Sequence, residues 1–280
     1  MAIIVSHKKD KKTVFLLGLS SDIGRELAIR YARNGFFVIG TCRDTKQICR
    51  FNDIDGIYPI PCDLSNEQSI MSSIETYSSL NKPWDIFISS IGTMNPIGKF
   101  MDISFSDWEQ SIGINALKQL SFLHALYPYR MKDSMSHAAF FAGGGTNNPF
   151  TNYSAYCVSK IFLIKMCELL DDEIPDMNPF IIGPGFVRTK IHDETLSQIH
   201  AAGANYEKTQ MFLHSDEPGT THDEIYDCIN WCIKQGKPVV GGRNISLVHD
   251  PWRENRGEIL KSQLITDIDK YKLRRSGNTD

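Results

Sequence analysis

Between residues 13 and 248, short apolar runs alternate with longer segments of helical periodicity, and this alternation narrows the possible folds more than any other feature. The runs predict strands over 13–17, 36–40, 57–60, 85–89, 138–142, 179–182 and 244–248. Helical spacing, such as Ile23, Leu27, Ile29 and Tyr31, predicts helices over 22–34, 45–52, 65–80, 105–131, 152–173 and 221–235. Strands joined by helices of this length form βαβ units. The expected fold is α/β: a Rossmann-like, doubly wound parallel sheet of about seven strands with helices on both faces. Ligands of such sheets bind beyond the carboxyl ends of the strands. No linker or repeat divides the chain, so one domain is expected over 1–280, with a core at 13–248, a lid at 189–218 and a tail at 249–280.

Composition trims the list of functions. Lys and Arg total 30 against 33 Asp and Glu, a net charge of −3. A general nucleic-acid binder needs a basic excess that is missing here. No apolar run approaches the ~18 residues of a membrane span. The first residues, MAIIVSHKKDKK, are apolar and then basic, the reverse of a secretory leader. Seven cysteines without a C-x-x-C pair fit reduced thiols in a cytoplasmic protein. Cys228 and Cys232 have the spacing of half a metal site, but no second pair of ligands stands nearby, so no metal is expected.

The first expected strand runs into Leu17-Gly18-Leu19-Ser20-Ser21-Asp22-Ile23-Gly24. Gly18 permits a tight turn, and Gly24 lets the following helix approach the strand. Ser20, Ser21 or Asp22 is placed to cap that helix, whose free N–H groups suit a pyrophosphate.

With this loop, five further motifs in chain order resemble the short-chain dehydrogenase/reductase family. They are Cys62-Asp63-Leu64, Ser89-Ser90-Ile91-Gly92, Ile114-Asn115-Ala116, Tyr156-Cys157-Val158-Ser159-Lys160 and Pro184-Gly185-Phe186-Val187-Arg188-Thr189. The resemblance implies an NAD(P)-binding enzyme interconverting a carbonyl and an alcohol. It places Gly18, Ser20, Ser21, Asp22, Ile23 and Gly24 at the cofactor, with Asp63, Leu64, Ser90, Gly92, Pro184, Gly185, Val187 and Thr189. Tyr156, Lys160 and Asn115 become the catalytic residues. Lys160 then also meets the nicotinamide ribose, and Asn115 holds a relay water. Tyr156 and Lys160, four apart, share one helix face. A neighbouring ammonium lowers a phenol's pKa from about 10, which eases proton transfer at neutral pH.

One position departs from the pattern. Thirteen residues before Tyr156 the family places a serine that holds the substrate carbonyl; here Gly143 stands there, in Ala142-Gly143-Gly144-Gly145-Thr146. Two readings remain open. Backbone N–H groups of Gly143 and Gly144, or the Thr146 hydroxyl, polarise the carbonyl instead. Alternatively the chain binds a nucleotide as a sensor or scaffold without turnover. A third reading is an epimerase or dehydratase of the family's extended branch, which usually has a larger C-terminal domain.

The second expected strand leads into Thr41-Cys42-Arg43-Asp44. NAD-preferring relatives carry an acid at the position of Cys42, and Arg43 suits a 2′-phosphate, so NADP is expected over NAD. The alternative makes Arg43 a solvated charge and gives the ribose to Asp44. The lid carries His192, His200, His214, Asn205, Tyr206 and Lys208, which suit a small polar substrate such as a sugar derivative. The tail is expected to cross the cleft or a subunit interface, or to form a surface helix. Relatives pair the helices at 105–131 and 152–173 between subunits, so a homodimer or homotetramer is expected.

Overall fold

The computed structural model describes residues 11–51, 53–253 and 256–275. Strand β1 (Thr13–Leu17) shows why the sheet sits at the centre. All five of its residues are buried. Side chains alternate between faces, so Val14 and Leu16 enter one core while Phe15 and Leu17 enter the other. A strand apolar on both faces is stable only where helices cover both faces of its sheet. Strands β2 (Phe37–Cys42), β3 (Ile57–Pro61), β4 (Ile86–Ser89), β5 (Ser136–Phe141), β6 (Met177–Gly183) and β7 (Asn244–Ser246) join it in the order β3-β2-β1-β4-β5-β6-β7. Every pairing is parallel. Strand order reverses between β1 and β4, which opens a crevice at their carboxyl ends.

The helices are α1 (Asp22–Arg33), α2 (Thr45–Ile48), α3 (Glu67–Ser79), α4 (Phe105–Ile112), α5 (Lys118–Leu126), α6 (Ser154–Glu173), α7 (Ile191–Leu196), α8 (Ile199–Ala202), α9 (Ala204–His214), α10 (His222–Gln235), α11 (Lys237–Val240) and α12 (Arg256–Thr266). On one face α1, α10 and α12 bury Leu27, Tyr31, Ile225, Ile229, Leu260 and Leu264. On the other, α3, α5 and α6 bury Ile70, Tyr77, Phe122, Leu126, Leu163 and Ile164. Cys228 and Cys232 are free thiols buried on the inner side of α10.

The expected sheet and both helical layers are present, and the boundaries shift for identifiable reasons. Strand β2 runs on to Cys42 because its ladder with β3 continues to the Cys42–Pro61 pair. Strand β7 stops at Ser246, where the Asp250 carboxylate accepts the Ser246 N–H at 2.7 Å and turns the chain. The helix expected over 45–52 is α2 plus a 3-10 turn, Cys49–Phe51, with Asn52 outside the described residues. The long helix expected over 105–131 is broken. A π turn, Gly113–Leu117, separates α4 from α5, and a 3-10 turn, Tyr127–Tyr129, follows α5. Pro128 within that turn lacks the N–H that a continuing helix needs.

The lid, whose sequence shows no strand pattern, folds into α7, α8 and α9. Its buried positions include His192, Thr195, Asn205 and Thr209, so polar residues face inward and no apolar stripe announces the helices. In the tail, the Arg243 guanidinium gathers the carbonyls of Leu264 (2.6 Å), Lys270 (3.1 Å) and Asp267 (3.2 Å) at the end of α12. The chain then returns to β7, where the Asn244 N–H meets the Tyr271 carbonyl at 3.0 Å.

Candidate active site

A cavity of about 970 Å³ lies at the carboxyl ends of the strands. Its floor is the β1–α1 loop. Gly18 has φ +93°, and a Cβ there would lie 2.6 Å from the Ile91 side chain. A Cβ on Gly24 would overlap the Gly18 carbonyl. Ser21 is the cap of α1, accepting the Gly24 N–H at 2.9 Å. Its own hydroxyl donates to Ser90 Oγ at 2.9 Å, and Ser90 donates to the Gly18 carbonyl at 3.0 Å. Ser90 thereby fastens the loop to the end of β4. Among the described residues the Asp22 and Ile23 N–H groups have no protein acceptor, and both residues line the cavity. A tight glycine turn with free N–H groups at a helix N-terminus fits the phosphates of a dinucleotide.

Asn115 lies in the π turn, fully buried. Its Oδ1 accepts the Thr93 N–H at 2.9 Å, and its Nδ2 donates to the Thr93 carbonyl at 2.9 Å and to Ser111 Oγ at 3.1 Å. The π turn frees helix carbonyls, and Gln119, one turn on, takes them: its Nε2 donates to the Asn115 carbonyl at 2.7 Å and to the Ile114 carbonyl at 3.2 Å. Gln119 Oε1 accepts from Ser89 at 2.7 Å. A Cβ on Gly92 would lie 3.9 Å from both Asn115 Oδ1 and Lys160 Nζ, so these two groups face one small volume.

Tyr156 and Lys160 lie on α6 with 8% and 3% of their surface exposed, Lys160 Nζ standing 5.5 Å from the phenol ring centre. Their electrostatics correct the sequence expectation. Burial pushes the Tyr156 phenol well above its ordinary value, and negative charge on Cys157 and Glu194 adds to the rise. Burial also lowers the Lys160 ammonium to about 8. Desolvation of each group outweighs the attraction between them at this separation. Thr146 Oγ1 donates to the Gly143 carbonyl at 3.1 Å, so its proton is engaged within the turn. Gly143, Gly144 and Thr146 nevertheless line the cavity.

The lid is tied to the rim of the cavity through two contacts that the sequence did not announce. Asp22 accepts the Lys190 N–H at 2.6 Å, while Lys190 Nζ donates to the Ser20 carbonyl at 3.1 Å. Glu194 Oε2 accepts from Met94 N at 2.6 Å, Thr93 Oγ1 at 3.0 Å and Asn95 N at 3.2 Å. Thr93 therefore joins Asn115 on one side to the lid on the other. Replacing Glu194 with alanine removes a charged acceptor whose bonds each contribute about 1.5–3 kcal/mol. Trypsin cleavage after the exposed Lys208 is then expected to speed up roughly tenfold, the equivalent of about 1.4 kcal/mol. Unchanged cleavage in a timed digest would show that the Asp22–Lys190 contact alone holds the lid.

Other candidate residues lie at varied distances from this centre. Pro184, Gly185, Val187 and Thr189 line the cavity; Gly185 has φ +73°, and a Cβ there would lie 2.6 Å from Val248. Arg43 is exposed beyond the end of β2 and outside the cavity lining. Thr41, two residues earlier, accepts the Gly18 N–H at 3.0 Å, which holds the end of β2 against the glycine loop. Asp44 caps α2 by accepting the Lys46 N–H at 2.8 Å. Asp63 Oδ1 accepts the Ser65 N–H at 2.9 Å, and Leu64 is buried; neither residue lines the cavity. From the tail, Tyr271, Lys272 and Leu273 line its far side, so the tail reaches the cleft.

A family model described as short chain dehydrogenase matches residues 12–200. The chain is 24% identical over 243 residues to a Drosophila melanogaster dehydrogenase/reductase SDR family protein 7-like, which takes in 82% of this chain and 72% of that protein. It is 25% identical over 246 residues to the probable oxidoreductase EphD of Mycobacterium tuberculosis, 81% of this chain and 40% of that one. With the NADPH-dependent pterin aldehyde reductase of Arabidopsis thaliana it shares 20% identity over 185 residues, 64% of this chain and 76% of the other. The solved structure of a short chain dehydrogenase/reductase from Saccharomyces cerevisiae superposes with TM-score 0.76 at 17% identity, covering 86% of this chain and 97% of that one.

Proposed function

The chain belongs to the short-chain dehydrogenase/reductase family of oxidoreductases, and on that premise we propose that it is an NADP-dependent enzyme interconverting a ketone or aldehyde and an alcohol on a small polar substrate, with Tyr156 as acid and base. The observation that carries this reading is the buried Tyr156–Lys160 pair on α6, facing the same cavity as the N-terminus of α1. NADPH, when bound, supplies the hydride in the reducing direction, and NADP accepts it in the other. The N–H groups at the start of α1 bind the phosphates. Tyr156 gives its proton to the carbonyl oxygen as the carbon gains hydride, and takes it back from the alcohol in reverse. Lys160 meets the nicotinamide ribose and restores the phenol's proton. The chain works as one unit over 1–280, in the cytoplasm, and exposed apolar residues on α4 and α6, among them Phe105, Val158 and Phe162, support a homodimer or homotetramer.

The test is a screen of carbonyl compounds, keto-sugars included, for NADPH oxidation. A second reading, a nucleotide-binding protein without turnover, is favoured by the glycine at 143; binding of NADPH with no oxidation across the screen would establish it over the first.

NADP is preferred because Cys42 is neutral and Arg43 follows it; an NADPH-dependent reductase among the relatives supports the choice. Arg43→Ala is expected to weaken NADPH binding by about 1.5–3 kcal/mol, the range for hydrogen bonds to charged groups. That is roughly 10- to 150-fold in dissociation constant. NADH, which has no 2′-phosphate, should bind as before. Titration of both cofactors at one ionic strength decides the matter: equal losses would mean that Arg43 shapes the loop and does not read the phosphate.

A further inference from the structure

We propose that Gly143 is a positioning residue whose missing side chain forms the slot that holds the Tyr156 phenol, so that the serine relatives carry at this position would dislodge the proton donor. The inference rests on the reading of Tyr156 as that donor.

A Cβ built on Gly143 lies 2.5 Å from Tyr156 Cζ and 2.6 Å from Cε1, and closer still to the hydroxyl oxygen. Real Cβ atoms essentially never come within 3.0 Å of another heavy atom. Gly143 is not there for backbone freedom. Its φ lies outside the left-handed region, unlike Gly145 at +94°. What the position requires is the absence of a side chain.

The backbone is held on both sides, so the side chain has to give. The Ala142 N–H bonds the Ile182 carbonyl at 2.8 Å, and the Gly143 carbonyl accepts from Thr146 at 3.1 Å, so the strand end is held on both sides of Gly143. Tyr156 lies within α6, and its ring meets Phe150 edge-on with centres 6.5 Å apart. With both backbones held, any side chain at 143 turns the phenol out of its slot. The phenol then loses part of its burial, and its hydroxyl leaves the place from which it reaches the substrate oxygen.

The experiment compares Gly143→Ala and Gly143→Ser in the full chain with Tyr156→Phe and the Gly143→Ala/Tyr156→Phe double variant. The substrate is the carbonyl compound that the screen above identifies. Both Gly143 variants are expected to lose roughly 10²-fold in kcat, the scale for a positioned acid, with NADPH binding kept within about threefold. Their alkaline limb should move to lower pH, since a phenol turned toward water ionises more readily. Adding Gly143→Ala to Tyr156→Phe should change the residual rate by less than about threefold. A Gly143→Ser enzyme as fast as the unmodified one, or losses that multiply in the double variant, would overturn the inference. If Tyr156→Phe alone retains full activity, the proposed function falls instead. Stability gives a test independent of turnover: Gly143→Ala should lower the unfolding midpoint markedly, and by much less when Tyr156→Ala has emptied the slot. Equal lowering in both backgrounds would also overturn it.

Discussion

Tyr156→Phe is expected to lower kcat for carbonyl reduction by at least ~10²-fold, within the ~10²–10⁴ that a positioned proton donor contributes. The dissociation constant of NADPH should stay nearly unchanged. The substitution keeps the ring, its burial and its edge-on contact with Phe150. It removes only the hydroxyl, which has no protein partner among the described hydrogen bonds, so no buried group is left unpaired. The pH profile sharpens the test. A proton donor works below its pKa, and burial holds this phenol well above the ordinary value. Activity in the reducing direction should therefore persist past about pH 10, where an exposed phenol is half ionised. Single-turnover rates with bound NADPH, measured across the alkaline range, separate this from a profile set by another group. Unaltered turnover in the phenylalanine variant would remove Tyr156 from the mechanism.

Lys160→Met is expected to have opposite effects on activity and stability. Turnover and NADPH binding should both fall, because the ammonium serves the nicotinamide ribose and the phenol's proton supply. Stability of the ligand-free chain should rise. Burial holds the Lys160 ammonium at about 8, against 10.5 for an exposed lysine. Below pH 8 both the folded and the unfolded chain carry the proton, and the full cost of burying the charge is present. Between about pH 8 and 10.5 the unfolded chain binds more protons than the folded one, so stability rises with pH and the cost fades. At about 1.4 kcal/mol per pH unit, the cost near pH 7 is about 3 kcal/mol. Methionine, of similar length and apolar, removes it. Urea unfolding of both proteins near pH 7 and near pH 10 reads the difference. A variant less stable than the parent near pH 7 would show that Lys160 is held by favourable contacts and not merely tolerated.

The parts legible beforehand are those with a local pattern. Four apolar residues in a row at 14–17, after Thr13, fit a central strand of a covered sheet, and the sheet followed from seven short apolar runs of this kind. Gly18 and Gly24 bracket the turn as their spacing implied, and Tyr156 and Lys160 share a helix face because they are one turn apart. The lid helices were illegible because their inward positions include His192, Asn205 and Thr209, which carry no hydrophobic signal. Glu194 was missed because its partners lie about a hundred residues earlier in the chain. Gln119 had a signal in its placement one turn beyond Asn115, but only a break in the helix gives that spacing a meaning.

The amino-acid order by itself determined the alternation of strands and helices, the doubly wound class of the sheet and the shared helix face of Tyr156 and Lys160, whose choice as the central pair came from the family resemblance. These depend on periods of two, about 3.6 and four residues, which any chain carries locally. Tertiary structure decided the rest. The expected direction of the Tyr156 shift was reversed because burial is a property of everything packed around α6, and desolvation outweighed an ammonium 5.5 Å from the ring. The meaning of Gly143 changed in the same way. In the sequence it is a missing serine; in the folded chain it is the space that a phenol from a different element occupies. No local pattern encodes the distance between a strand end and a helix side chain, because that distance is set by how β5 and α6 pack.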